Sequence, residues 1–255
     1  MATIAPSRVV RDDDKVILWG GLFMVLVLVA GFSTQLAAGR SSFGAPLYVH
    51  IHALTFFGWV TIYLTQTLLA TTGSIALHKR LGWIGAGWIA LMVVVGTMVA
   101  VEATRYARTA PFFTPGYFLI MAPMTVYTFA GLSTAAIVQR RQTDWHKRLH
   151  FCGMGALMGP GFGRLLPMPL FVPYVPEVET AMVLFVPVVA ILIDWRRTGR
   201  VHPAWWWGLG TLFGARMLID ILVATPLAPA LHAWVTVGSP GAAVAPMAYP
   251  AMPHP

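Results

Sequence analysis

The chain has 255 residues, 57% of them hydrophobic and 10% charged, with a mean hydropathy of +0.71. This is more apolar surface than a soluble domain of that length can cover, which excludes a water-soluble globular fold. The net charge of +8 lies in short connections between apolar runs, where basic residues set orientation and meet lipid headgroups, so nucleic acid is excluded as a partner.

Apolar runs at residues 16–38, 47–70, 81–101, 116–138, 149–168, 179–195 and 204–224 have about the length needed to cross ~30 Å of hydrocarbon. The expected fold is all-α, a polytopic transmembrane bundle of about seven spans over residues 1–224, followed by a Pro-rich external tail over 225–255. With seven crossings, Arg8, Arg11, Lys15, Lys79, Arg80, Arg140, Arg141, Lys147, Arg148, Arg196, Arg197 and Arg200 fall on one side. Arg40, Arg105 and Arg108 fall on the other, and Arg164 and Arg216 lie inside spans. The excess of basic residues marks the cytoplasmic side, so the N-terminus is expected inside and the C-terminus outside, as in a bacterial inner-membrane protein.

The first run is longer than a signal-peptide core and follows Asp12, Asp13 and Asp14, so it reads as a retained span. The second opens outside with Tyr48, His50 and His52. Two residues apart on a helix is ~200°, so the two imidazoles point to different sides. His52 heads a polar and aromatic stripe of Thr55, Trp59, Tyr63 and Gln66, whereas His50 is followed by Leu54, Phe57 and Thr61. His78 precedes the third span in LHKRLGW, and Glu102, Arg105 and Arg108 come at its outer end. In the fourth, Pro115 and Pro123 mark a helix start and a kink.

The fifth span departs most from a plain hydrophobic helix. DWHKRLH places His146 and His150 four residues apart on one helical face at the cytoplasmic boundary. Gly153 to Pro169 then reads GMGALMGPGFGRLLPMP, where Pro160 removes a backbone donor and is expected to kink or break the helix. Gly155, Gly159 and Gly163 repeat every four residues and are expected to align one close-packing face. Arg164 follows in the outer half, where an intramembrane arginine is a functional-site candidate by default. The sixth span contains Pro187. The seventh begins with Trp205, Trp206 and Trp207, which with Trp19, Trp83, Trp145 and Trp195 suit the cytoplasmic interface. It carries Arg216 and Asp220 four residues apart and no lysine, which argues against a rhodopsin-type retinal protein. In the tail, a short interfacial helix is expected over Ala230–Val237, with Trp234 at headgroup level. The single cysteine, Cys152, excludes an intrachain disulfide and any CxxC motif. Walker, dinucleotide, GxSxG and HExxH motifs are absent.

The second and third spans, with His50, His52 and FFGW, then LTQTLLA and LHKRLGWIGA, together with DWHKRLH before the glycine-rich fifth span, resemble a group of uncharacterised bacterial multi-pass membrane proteins. The resemblance covers residues 46–168. Helical pairs of this kind look similar to b-type cytochrome modules, which implies haem.

Two groups of candidates result. Histidines His50, His52, His78, His146 and His150 are candidate ligands of haem b or a metal ion, with His50 and His52 the outer metal candidates. In the outer half, Arg164, Arg216, Asp220, Glu102, Arg105 and Tyr63 are candidate lining of a ligand pocket. The leading expectation is a redox or cofactor-binding membrane subunit in electron transport, in contact with the lipid bilayer, other membrane subunits or a quinone-like small molecule. The alternatives are a transporter or small-molecule receptor, and a non-catalytic accessory subunit of a membrane complex.

Overall fold

The computed structural model describes residues 12–250; Arg8 and Arg11, counted above with the inner basic residues, lie outside them. Among the described residues the regular structure is helical. The α-helices are α1 (Asp12–Ala37), α2 (Leu47–Thr71), α3 (Ile75–Arg105), α4 (Pro115–Val138), α5 (Thr143–Ala156), α6 (Gly159–Leu165), α7 (Val175–Thr198), α8 (Pro203–Val223) and α9 (Leu227–Thr236). Six of them, α1, α2, α3, α4, α7 and α8, are long and apolar enough to cross a membrane.

The expected fifth span is the pair α5 and α6, broken at Leu157 and Met158. Pro160 has no N–H to offer the carbonyl of Ala156 one turn back. The N–H groups of Leu157 and Met158 instead donate to the carbonyls of Met154 and Gly155, each at 3.1 Å, tightening the last turn of α5. The break overturns one expectation: Gly155, Gly159 and Gly163 do not form a continuous face, and nothing lies within 4 Å of where a side chain on Gly155 would begin. The close approach is made by Gly161, whose carbonyl oxygen would lie 2.6 Å from a Cβ on Gly31, so α1 and α6 meet backbone to backbone.

Helix starts follow local chemistry. The Thr114 side chain accepts the Tyr117 N–H at 3.4 Å and Pro115 takes the first helical position of α4. His202 does the same for α8, its Nδ1 accepting the Ala204 N–H at 3.2 Å ahead of Pro203.

Helix α4 is central and packs against α3, α5 and α8, while α2 lies on α3 and α1 on α6 and α2. Phe129, Phe151, Met24, Met92, Met154 and Trp205 are fully buried at the centre. Cys152 on α5 is buried against the backbone of α8: a Cβ on Gly208 would overlap its Sγ. The tail helix α9 begins three residues before the expected Ala230 and packs on α4 and α3. Beyond it, the Gly116 N–H donates to the Pro246 carbonyl at 2.8 Å and the Tyr249 hydroxyl to the Pro173 carbonyl at 3.3 Å, binding the tail across one end of the bundle.

The aromatic belt is visible but has an exception. Trp19, Trp83, Trp195, Trp206 and Trp207 are exposed, whereas Trp205 is 1% exposed and donates its indole N–H to Asp194 Oδ2 at 2.7 Å. Arg148, read above as one of the orienting basic residues, is 5% exposed and pairs with the same carboxylate, Nη2 to Oδ2 at 3.1 Å. A buried guanidinium demands such a partner, so this side chain holds α5 to α7 and α8 as well as counting toward orientation.

Candidate functional site

The structure brings His78, His146 and His150 together at the end of the bundle where α2 and α4 finish and α3 and α5 begin. The His78 and His146 ring centroids are 6.0 Å apart, and those of His146 and His150 are 4.9 Å apart. The two HKRL segments supply the first two rings in equivalent ways. Nδ1 of His78 lies 3.3 Å from the Gln66 carbonyl near the end of α2, and Nδ1 of His146 lies 2.8 Å from the Ala136 carbonyl near the end of α4. A carbonyl only accepts, so in both rings Nδ1 carries a proton, and in the neutral imidazole Nε2 then keeps its lone pair. A carbonyl that takes the Nδ1 proton in this way is what fixes the tautomer of histidine in metal sites. His150 makes no hydrogen bond among the described residues, and its ring lies 6.5 Å from that of Trp59.

Helix α5 is clamped before it presents these rings. Lys147 Nζ pairs with Asp14 on α1 at 2.8 Å, and Arg148 pairs with Asp194 on α7. The two imidazoles, one on either side of these ion-paired residues, are thereby fixed in depth.

The stripe on α2 leads to the same place. Thr55, Trp59 and Tyr63 are buried, and four polar atoms along this face have no hydrogen-bond partner: His52 Nδ1, Trp59 Nε1, Tyr63 OH and Gln66 Oε1. Ser133 Oγ, on α4, is a fifth such atom. An orphaned buried polar group costs ~1–3 kcal/mol, so a run of them on one helix face marks a place where water or a bound group belongs. From His52 to Gln66 the stripe covers ~21 Å of helix and ends at the residue whose carbonyl holds His78.

The other candidates separate into different places. His50 is at the surface, its Nε2 3.1 Å from the Phe43 carbonyl, and shares no site with His52. Arg164 sits between α1 and α6, its guanidinium 4.0 Å from the centroid of the Phe32 ring and its Nη1 donating to the Pro160 carbonyl at 2.9 Å. It lies within electrostatic range of His52, and its contacts with Phe32 and Pro160 are not shared with Arg216. Glu102 and Arg105 are half-buried at the end of α3 and form no ion pair among the described residues. Tyr63 belongs to the α2 stripe, against Gly21 of α1. Arg216 pairs with Asp220 through Nε at 2.9 Å and reaches α7, with Nη1 to the Thr180 hydroxyl at 3.0 Å and Nη2 to Glu177 at 3.2 Å.

The Arg148, Asp194 and Trp205 network and the ion pair of Glu177 with Arg216 are polar contacts that the sequence pattern does not single out. Asp194 directly precedes the Trp195–Arg196–Arg197 boundary and so reads as an interfacial acid; its helical offset from the neighbouring lipid-facing residues was the available signal. A mostly apolar groove of about 310 Å³, lined by Trp19, Phe23, Phe151, Phe185 and Val186 among others, runs along α1 and α7.

Among the described residues no group of three or more His, Cys, Asp or Glu is set to hold a metal ion as it stands. Compared with known proteins, the chain matches no family model, no curated protein and no solved structure.

Proposed function

We propose that the chain is a seven-span protein of a bacterial inner membrane, N-terminus inside and C-terminus outside, that binds a metal ion or haem iron through His78, His146 and His150. In this reading it is the cofactor-binding subunit of a membrane redox system. The six long apolar helices and the α5–α6 pair supply the seven crossings, and the basic residues supply the orientation. His78, His146 and His150 then lie near the cytoplasmic face.

The observation that carries the proposal is the pair of Nδ1–H groups directed onto backbone carbonyls by two HKRL segments, with both Nε2 atoms unspent. A metal bonded to imidazole nitrogen at ~2.0–2.1 Å holds two ring centroids no more than ~6.4 Å apart, and both observed separations fall within that span. Closing on one ion requires rotation of His150, which no hydrogen bond restrains. Iron held in this way would supply one-electron chemistry, and the chain's part is to fix the donor nitrogens and exclude water. The orphaned Gln66 Oε1 and Trp59 Nε1 beside the rings are the groups expected to hydrogen-bond to whatever is bound.

The test is an absorption spectrum and an elemental analysis of the purified full-length protein. Haem gives a Soret and an α band in the reduced-minus-oxidised spectrum; a bound ion gives about one metal per chain. Either signal should vanish in His78→Ala and His146→Ala and persist in His50→Ala. A spectrum without haem and a preparation without metal would overturn the reading.

A further inference from the structure

A second polar centre lies between α4, α7 and α8, and it is a cavity of about 70 Å³. Its lining includes Tyr117, Thr125 and Thr128 from α4, Ala156 from the end of α5, Glu179, Thr180 and Val183 from α7, and Arg216 from α8. The charged and titratable groups facing it are Tyr117, Glu177, Glu179, Arg216 and Asp220.

The charges do not balance. The guanidinium of Arg216 is committed to Asp220, Glu177 and the Thr180 hydroxyl. Glu179 is the third acid around one cation, and it makes no hydrogen bond or ion pair among the described residues. Its carboxyl instead lies against the backbone at the α5–α6 break, where any side chain on Gly159 would collide with it. A lone carboxyl in an apolar bundle is costly unless something positive joins it.

The rest of the lining offers oxygen acceptors. The hydroxyls of Thr125 and Thr128 donate to the Met121 and Met124 carbonyls at 2.9 and 2.8 Å, so their protons are spent and their lone pairs remain. Pro160 and Pro187 lack the N–H groups that would engage the carbonyls of Ala156 and Val183, and both of those residues line the cavity. Ala156 is also the last residue of α5, where the helix dipole is negative. Unwound carbonyls and the C-terminal ends of broken helices are the groups with which membrane proteins hold sodium.

We propose that this cavity is a binding site for a monovalent cation of sodium size, with Glu179 as its one charged ligand. A single uncompensated carboxylate matches a single positive charge, whereas calcium-type sites gather several. The space admits a small ion together with some of its waters. This site does not depend on the histidine reading.

The test uses the full-length protein in lipid nanodiscs, with thermal unfolding followed by tryptophan fluorescence in sodium, potassium and choline chloride at matched ionic strength. Sodium should raise the midpoint above that in choline, and Glu179→Gln should lose this increment while unfolding in choline near the wild-type temperature. If Glu179→Gln does not fold, Thr128→Val, which deletes one oxygen, should weaken the apparent sodium affinity by about threefold or more. The proposal fails if the midpoint is the same in all three salts, or if the sodium increment survives in Glu179→Gln and Thr128→Val. It also fails if the midpoint responds to pH alone, which would make Glu179 a proton site.

Discussion

The histidine cluster and the Glu179 cavity are both polar places in an apolar bundle, yet they are built in opposite ways. At the first, each protonated nitrogen of His78 and His146 is spent on a backbone carbonyl, and what is left over is nitrogen lone pairs. At the second, hydroxyl protons and guanidinium donors are spent, and what is left over is oxygen. Unspent imidazole suits iron, copper or zinc, while unspent carboxylate, hydroxyl and carbonyl oxygen suits a hard cation. One chain thus presents two chemically distinct sets of unspent donor atoms, at different positions along α4 and α5.

The comparison breaks most severely at the ion pair that positions α5. Asp194→Ala removes the buried carboxylate that takes both Arg148 and Trp205 and leaves the guanidinium only the half-exposed Asp144, 3.4 Å away, so a loss of about 3 kcal/mol is expected, read as a fall in the unfolding midpoint. Histidine-bound metal should be lost with it. Next, Gly31→Leu forces α1 away from the Gly161 carbonyl and should cost about 1–3 kcal/mol while leaving the histidine cluster's metal content unchanged. Third, His146→Ala should abolish metal or haem at the inner cluster yet retain the sodium response, and Glu179→Gln should do the reverse. Variants that abolish both responses would mean that the two places are one coupled unit.

A smaller effect comes from acid. His202 caps α8 through an unprotonated Nδ1, and burial, aided by the Arg148 charge, holds its pKa below the ordinary value of about 6.5. The folded state therefore binds fewer protons than the unfolded one. Its contribution is complete above that ordinary value and is lost as pH falls through the lowered one. His202→Asn, which keeps a capping oxygen, should flatten this part of the stability profile. Least of all, His50→Ala, which removes only a surface contact with the Phe43 carbonyl, should change stability by no more than about 0.5 kcal/mol and leave both binding responses intact.

Which features were legible in the sequence depends on whether they are local. Apolar run length predicts the long helices, because a span must satisfy its own backbone in lipid. Pro160 predicts the break in the fifth span, because a missing N–H is a property of one residue. The pairing of Arg216 with Asp220 follows from their four-residue spacing. The separation of Arg164 from Arg216 does not, since equal depth says nothing about which neighbours a helix has. Glu179 was missed because in VPEVET it reads as one of two acids at a helix start; only the approach of Gly159, twenty residues earlier, shows that its carboxyl turns inward. The α2 stripe was visible as a pattern, but that its polar atoms lack partners depends on Phe129 and Gly21 closing over them.

The burial of Cys152 against Gly208 gives the chain an internal reporter. The only thiol in 255 residues is sealed between α5 and α8, so a maleimide reaches it only after those helices part. The labelling rate of the unmodified protein then measures how often the histidine-bearing helix leaves its place, and ligand at either site can be scored by how far it slows that clock.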